Sequence, residues 1–592
     1  MWLPATLTTP ETAAIVVILS VSVMVLYQLA LPKPLAGIPY NKHAARSILG
    51  DLPEVAKFQK ETRLFWIWLT QLAERLQAPI AQVFLRPLGK PYVIVTDYRE
   101  AHDILVHRSR EFDRADFFRD TMGPLTPDAH ILFKTDDNFR MHRKVIGDLM
   151  SPAFLQNVAA PSLYTNLCKH IHLWNAKSRL AQGRPFEAID DIYYSAFDAV
   201  TSFTFSDNFT HNATKSRVSL YKSMSPDKVP PPSGEDEAVI FPKSPIIDEF
   251  VEAFRELAFV YEEVLASMWP RLQWFFILRR PRVRHAVDVK ESVFHREIEE
   301  GIQRLDGGKN ESRVKSAMDH MLFREATIAS KEGRTPDFHR RTIYDELITF
   351  ISAGHDTSST TLCWGIKLLA DNPYTQEKIR RQLFKSLDEA RAEKRWPNER
   401  EILRTPMPYL DALVEEMLRL AQPVPGLVRQ ATVDTQILGR HIPKGTEVFM
   451  PVNGPGFFKP AFPIDDSLRT AQCLEAKSRI RTWPEDGGMA DFRPERWLVA
   501  APADGSVPPE ATFDGYIFDQ TAGPMMAFSL GPRGCFGRRL AYVTLKILTT
   551  LIMWNFELLP CGEKLSSYKA HDMLTNRPDF CYVRLKSVDD TI

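Results

Sequence analysis

Phe528-Ser-Leu-Gly531-Pro-Arg533-Gly-Cys535-Phe-Gly537 places one thiol, three glycines, a proline and an arginine just ahead of an apolar helical pattern. Glycines let a backbone pass close to a flat ligand, and Pro532 stiffens the loop. Ala541, Leu545, Leu548 and Ile552 recur at helical steps, so a helix is expected to begin just after Cys535. Its unpaired N–H groups and the positive end of its dipole would favour a sulfur anion. The residues describe a socket for a metal-bound thiolate. A buried cysteine in a glycine turn would carry the same Cys-x-Gly, and the rest of the chain decides between the two.

The chain has 592 residues, 44% of them hydrophobic, enough for a large core. Lys plus Arg and Asp plus Glu both number 74, so no net field draws nucleic acid or an acidic surface. The six cysteines, at 168, 363, 473, 535, 561 and 581, form no Cys-x-x-Cys and no close ligand spacing. A disulfide framework and a zinc site are therefore not expected, and a reducing compartment is.

Ala13 to Leu31 carries no charge, and about 20 apolar residues span a bilayer as a helix. A cleaved signal peptide is the competing reading. Against it, Glu11 precedes the run, no Lys or Arg does, and the run is long for a signal core. Lys33, Lys42 and Arg46 follow, which places the next domain on the cytosolic side. Pro32, Pro34 and Pro39 make a stiff exit. The expected organisation is an anchor over 1–31, a proline-rich hinge over 32–50 and one globular domain over 51–592.

No repeat of fixed period is present. Tyr92-Val-Ile-Val95 reads as a short strand, and the central half reads as helix with charged faces. The fold expected is mainly α with small β-sheets. Ser225 to Ser244, with Val229-Pro-Pro-Pro232 and Glu235-Asp-Glu237, suits an exposed loop or insertion. Trp269 to Leu278 is apolar and aromatic and runs into Arg279, Arg280, Arg282 and Arg284. Such a segment suits a lipid interface, or equally a core helix ending on a solvated basic turn.

Upstream of the thiol, Ile348 to Ala370 reads as a long buried helix that must stop before Pro373. It contains Ala353-Gly-His-Asp356-Thr357-Ser-Ser-Thr-Thr361, poor helix material, and such local conflict is expected at functional sites. Thr357 lies one turn after Ala353, so its hydroxyl can bond that carbonyl and bend or open the helix. Small residues at 353 and 354 would leave room over a cofactor face. Tyr409 to Leu420 is a further helical pattern, with Glu416 and Arg419 one turn apart on one face.

Together these elements resemble the cytochrome P450 superfamily. The cysteine string matches the family's haem-ligand loop, F-x-x-G-x-R-x-C-x-G, and Ala353 to Ser358 matches its oxygen-binding helix, A-G-x-D/E-T-T/S. Glu416-x-x-Arg419 before Gln422-Pro-Val-Pro-Gly426, and Phe492-Arg-Pro-Glu-Arg496-Trp497, match the segments that lock the haem loop through a Glu-Arg-Arg network. Arg429, ahead of Ala431 to Gly445, and Phe139-Arg-Met-His142-Arg143 match segments that contact the haem. Phe139 departs from the usual tryptophan and loses the indole donor. The chain is also longer than the family pattern around 455–482 and 498–527, read as surface insertions.

The resemblance implies a P450 fold after one N-terminal transmembrane helix, with haem b held by Cys535, whose thiolate favours O–O cleavage. It implies Asp356 and Thr357 as the distal catalytic pair. Phe528, Arg533, Gly537, Arg143, His142, Arg429, Ala353 and Gly354 would lie at the cofactor, and Glu416, Arg419 and Arg496 would form the structural network. Phe117, Phe118, Leu125, Phe350, Val424 and Leu427 fall in segments that line the substrate pocket. Electrons would come from NADPH through NADPH-cytochrome P450 reductase, with cytochrome b5 as an additional partner, at the endoplasmic reticulum membrane. The expected activity is insertion of one oxygen atom from O2 into an apolar substrate, in secondary metabolism of fungal-like type. An O2-independent haem-thiolate isomerase or dehydratase, and a non-catalytic haem protein, are the alternatives that the Asp356-Thr357 pair argues against.

Overall fold

The computed structural model describes residues 10–230, 237–242, 248–267, 269–476, 481, 483 and 488–588. Parts of the 225–244 and 455–482 segments lie outside the described residues. The chain forms two compact units, 1–113 with 426–475, and 114–425 with 476–592.

The first unit begins with helix α1 (Pro10–Ala30), long and apolar enough to cross a membrane, with exposed aliphatic side chains from Ile15 onward. Its five-stranded sheet runs in the order Ile80–Val83, Tyr92–Val95, Glu447–Pro451, Gly426–Ala431, Phe112–Asp113. Val93 pairs in parallel with Val448, and the other neighbours are antiparallel. Tyr92–Val95 is buried throughout, as its β-branched run requires. The first insertion is more than surface. Arg469, 4% exposed as a side chain, pairs with Asp97 at 2.7 Å, and Cys473 is buried beside it.

The second unit carries the helices α2 (Asp137–Ile146), α3 (Ala160–Ala181), α4 (Ile189–Phe205), α5 (Glu249–Leu265), α6 (Pro270–Ile277), α7 (Pro281–Arg304), α8 (Arg341–Ala370), α9 (Pro408–Ala421) and α10 (Arg538–Asn555). Alpha8 runs through the middle, packed against α4, α9 and α10, while α5 packs on α7 and α10 on α3. Trp174, Phe186, Phe197, Phe203, Phe205 and Phe250 fill this core. Antiparallel strands Phe556–Leu559, Tyr582–Ser587 and Phe186–Glu187 make a small sheet, and Ala570–Asp572 with Asn576–Pro578 makes a hairpin. The second insertion forms another hairpin, Leu498–Ala500 against Tyr516–Phe518.

Alpha8 starts at Arg341, about two turns before the Ile348 expected from the apolar pattern. Asp345 and Glu346 hid those turns, since buried carboxylates break a hydrophobic reading. They are tolerated because backbone N–H groups reach them, from Asp128 at 2.7 Å and from His130 at 2.6 Å. Alpha6 divides its apolar residues between two sides. Trp274 and Ile277 are buried, with the Trp274 indole donating to the Thr121 carbonyl, whereas Trp269, Leu272, Phe275 and Phe276 are exposed. In the 225–244 segment Val229 and Val239 are buried, and Val239 bridges to Phe186, so its described part is not wholly an exposed loop.

Candidate active site

The cysteine loop is folded by its own backbone. The Cys535 N–H donates to the Phe528 carbonyl at 2.8 Å and the Gly534 N–H to the Gly531 carbonyl at 2.9 Å. Gly531 sits at φ +67°, where a side chain would be strained. Alpha10 begins at Arg538, three residues after the thiol, as the apolar steps require. Cys535 is exposed. The surrounding protein nevertheless desolvates the sulfur and pushes its pKa up, while backbone N–H groups of Gly537 and Arg538, then the Arg143 and Arg538 charges, pull it down. Phe528 stacks near Tyr542, with ring centroids 5.4 Å apart.

Alpha2 supplies the cations beside this loop, its first turn capped by the Asp136 carboxylate on the Phe139 N–H at 3.0 Å. The Arg143 guanidinium lies 4.4 Å from the Phe536 ring centre, and that of Arg533 lies 3.9 Å from the Phe139 ring centre. Phe139 thus serves as a packing surface for the loop arginine. His142 is buried, its ring 4.9 Å from Phe133 and its nitrogens 3.6 Å from Asp128 and 3.8 Å from Glu346. It belongs to a protein-internal cluster, not to the accessible face expected of a cofactor contact. Arg429 lies in the first unit, buried in its strand with Nη1 donating to the Val428 carbonyl at 2.9 Å.

One face of α8 meets the cysteine loop. Phe350 stacks on Phe536 with ring centroids 6.0 Å apart. Glu346, Phe350, Ala353 and Thr357 follow one another at steps of four, three and four, so all share that face. The Thr357 hydroxyl donates to the Ala353 carbonyl at 2.8 Å, as its spacing predicts, yet α8 stays continuous and is not opened. Gly354 lies at the flank of that face, against α4: a Cβ there would stand 3.1 and 3.2 Å from the Val200 methyls. Its smallness serves α8–α4 packing.

Asp356 is 2% exposed and turned into the protein. Arg577 pairs with its Oδ1, and the Thr575 hydroxyl donates to Oδ2 at 3.0 Å. Glu262 on α5 lies 3.8 Å from Arg577, beside a cavity of about 10 Å³ that Asp356 also lines. Burial pushes the Glu262 carboxyl up to about 7, against the pull of Arg577. Neither Arg577, in Thr575-Asn-Arg-Pro-Asp579, nor Glu262 carries a sequence signal. Glu346 does, through the four-three-four spacing. Burial opposes its charge, but the His130 imidazole, 2.6 Å away, holds its carboxyl down at about 2.

The Glu416 carboxylate accepts five hydrogen bonds, from Arg419 Nε and Nη2, Arg496 Nε, the Arg493 N–H and the Trp497 indole, at 2.7–2.9 Å. Arg419 and Arg496 also donate to the backbone carbonyls of Met489, Gly488 and Asp491. Every charge has partners, as a buried network requires. Of the residues expected at the substrate pocket, Phe117, Phe118, Phe350, Val424 and Leu427 are half-buried. Leu125, 5% exposed, is packed into the core instead.

The Cytochrome P450 family profile matches residues 47–456 and 490–582, passing over part of the first insertion. Cytochrome P450 monooxygenase TRI13 of Fusarium sporotrichioides is 38% identical over 96% of this chain and 97% of its own length. GME11363 of Pestalotiopsis microspora is 33% identical over 98% of both chains. A third fungal monooxygenase, xilC of Penicillium crustosum, is 35% identical over 96% of this chain and 95% of its own. With a thiol loop, an oxygen-helix signature and a Glu-Arg-Arg lock in one unit, and these relatives along its length, the chain belongs to the cytochrome P450 family and is one of its monooxygenases.

Proposed function

We propose that the chain inserts one oxygen atom from O2 into an apolar organic substrate of fungal secondary metabolism, with the Cys535 thiolate as the residue that would hold haem b. The observation that carries this reading is the Phe350–Phe536 stack, which sets the Thr357 face of α8 against the thiol loop. The family implies haem, and the residues fit it: an exposed thiol under two backbone N–H groups, Arg143 close to that sulfur, and accessible Ala353 on the facing helix. Bound there, haem supplies the redox chemistry that splits O2.

The protein's own residues do the rest. Gly537 and Arg538 N–H groups stabilise the thiolate. Arg143 and Arg533 offer their positive charges to the haem carboxylates. Thr357, tied to Ala353, presents a hydroxyl that would hold a proton-bearing water on the α8 side of the site. Asp356 feeds protons from its buried network, and Phe117, Phe118 and Phe350 give the substrate an apolar wall. Electrons arrive from NADPH through NADPH-cytochrome P450 reductase, with cytochrome b5 as a second donor. Alpha1 anchors the chain in the endoplasmic reticulum membrane as a single span, leaving the catalytic domain cytosolic.

The test combines purified chain, reductase and NADPH with a panel of apolar compounds preselected by shifts of the haem absorption band. Matched consumption of NADPH and O2 with an oxygenated product supports the reading. Conversion without either would establish the isomerase alternative. Cys535→Ala must lose the thiolate-type spectrum of the CO-treated, reduced protein, and an unchanged spectrum would remove Cys535 as the ligand.

A further inference from the structure

Away from the thiol, on the second unit's surface, two histidines and a glutamate converge. His295 and Glu299 stand one turn apart on the same face of α7, and His339 lies two residues before α8 begins. One ligand atom from each of the three falls within 4.8 Å of the other two. His339 Nε2 is 2.7 Å from Glu299 Oε1, and the two imidazole centroids are 4.5 Å apart. We propose that His295, Glu299 and His339 form a binding site for a divalent transition-metal ion of zinc type, which joins α7 to the start of α8.

The donor chemistry selects the ion. Two imidazoles and one carboxylate suit zinc and its neighbours, whereas calcium and magnesium want oxygen ligands throughout. The orientation of the rings is built in. The Tyr344 hydroxyl lies 2.9 Å from His339 Nδ1 and 3.3 Å from His295 Nδ1. A hydroxyl oxygen has two lone pairs and can accept from both Nδ1–H groups, which leaves both Nε2 atoms as the metal donors. Metal-bound histidines commonly spend their other nitrogen on such an outer partner.

Space and charge agree. The trio opens onto a surface pocket of about 420 Å³ that Tyr344 and Arg341 also line, enough for water to complete the coordination. The Arg341 guanidinium is neutralised there by Glu291 at 2.8 Å and Asp345 at 2.7 Å. Because the ion binds only the folded arrangement, it stabilises the fold by mass action.

The experiment uses the haem-loaded full chain, stripped with a chelator and titrated with Zn²⁺ against a chromophoric zinc indicator. One equivalent binds, with a rise in the thermal unfolding temperature that Mg²⁺ and Ca²⁺ do not reproduce. The double variant His295→Ala/His339→Ala loses both the equivalent and the thermal shift, and all three residues being exposed, it folds. Tyr344→Phe keeps the ligands and loses about tenfold in affinity. No zinc binding by the wild type, or undiminished binding by the double variant, overturns the site. Undiminished affinity in Tyr344→Phe overturns the orienting role of the tyrosine.

Discussion

Arg577, on the 576–578 strand, closes over Asp356, so that the acidic residue of the oxygen-helix signature reaches the hairpin instead of standing free in α8. The pair is buried on the aspartate side and shared with Thr575 and Glu262. Arg577 thereby fixes the orientation of Asp356.

Replacing Arg577 by Met leaves the Asp356 carboxylate buried without its cation, which costs about 3–5 kcal/mol. The double variant Arg577→Met/Asp356→Asn regains most of that stability, because neither charge is then stranded. Denaturant unfolding of the four proteins gives the coupling directly, and additive losses would show that the pair does not act as a unit.

Thr357→Ala removes the hydroxyl bonded to Ala353 and adds no bulk. Haem and substrate binding stay near wild type and NADPH is still consumed, but product per NADPH falls on the order of tenfold or more, with hydrogen peroxide making up the balance. Parallel assays of product, peroxide and NADPH check this. Normal coupling would take Thr357 out of the proton supply.

Glu416→Ala strands Arg419 and Arg496 in the interior and removes the acceptor of the Trp497 indole. The expected loss is about 3–5 kcal/mol and most of the haem content. Arg419→Lys also loses haem, since an ammonium cannot reproduce the two-point contact with Glu416. Haem per polypeptide, read by absorbance, is the measure.

Glu262 gives a pH dependence. Its carboxyl rises from 4.5 to about 7 in the fold, so the folded state holds a proton that the unfolded chain has given up. The stability it contributes is complete below about 4.5 and is lost as pH rises through about 7. Glu262→Gln removes that decline: relative to wild type, the variant gains stability between pH 5 and 8. Unfolding midpoints across that range would show a constant difference if the carboxyl did not titrate there.

Much of the site was legible because its chemistry is written in short spacings. The thiol loop, the α10 start, the Thr357–Ala353 bond and the Glu416–Arg419 pair are all local, and the structure places each where its residues require. What stayed hidden depends on distant segments. Arg577 reaches Asp356 from over two hundred residues away, and His130, at the start of a short 3-10 turn, binds Glu346 through its backbone N–H and its ring. The early turns of α8 were lost for the same reason: Asp345 and Glu346 look exposed until the loop that satisfies them is known. The Gly354–Val200 contact was hidden too, because a missing side chain looks the same whether the space belongs to a ligand or to a neighbouring helix.

The Gly354–Val200 contact also sets the terms for redesign. With the Val200 methyls so close to where a Cβ would stand, α4 and α8 are in tight contact at Gly354, one turn before Thr357 and on the flank of its face. A shift of α8 toward α4 at this point is opposed by that contact. On the proposed function, variants that accept bulkier substrates should arise by trimming Phe117, Phe118 or Phe350, whereas a side chain at 354 must push the Val200 methyls aside, a demand that Val200→Ala relieves.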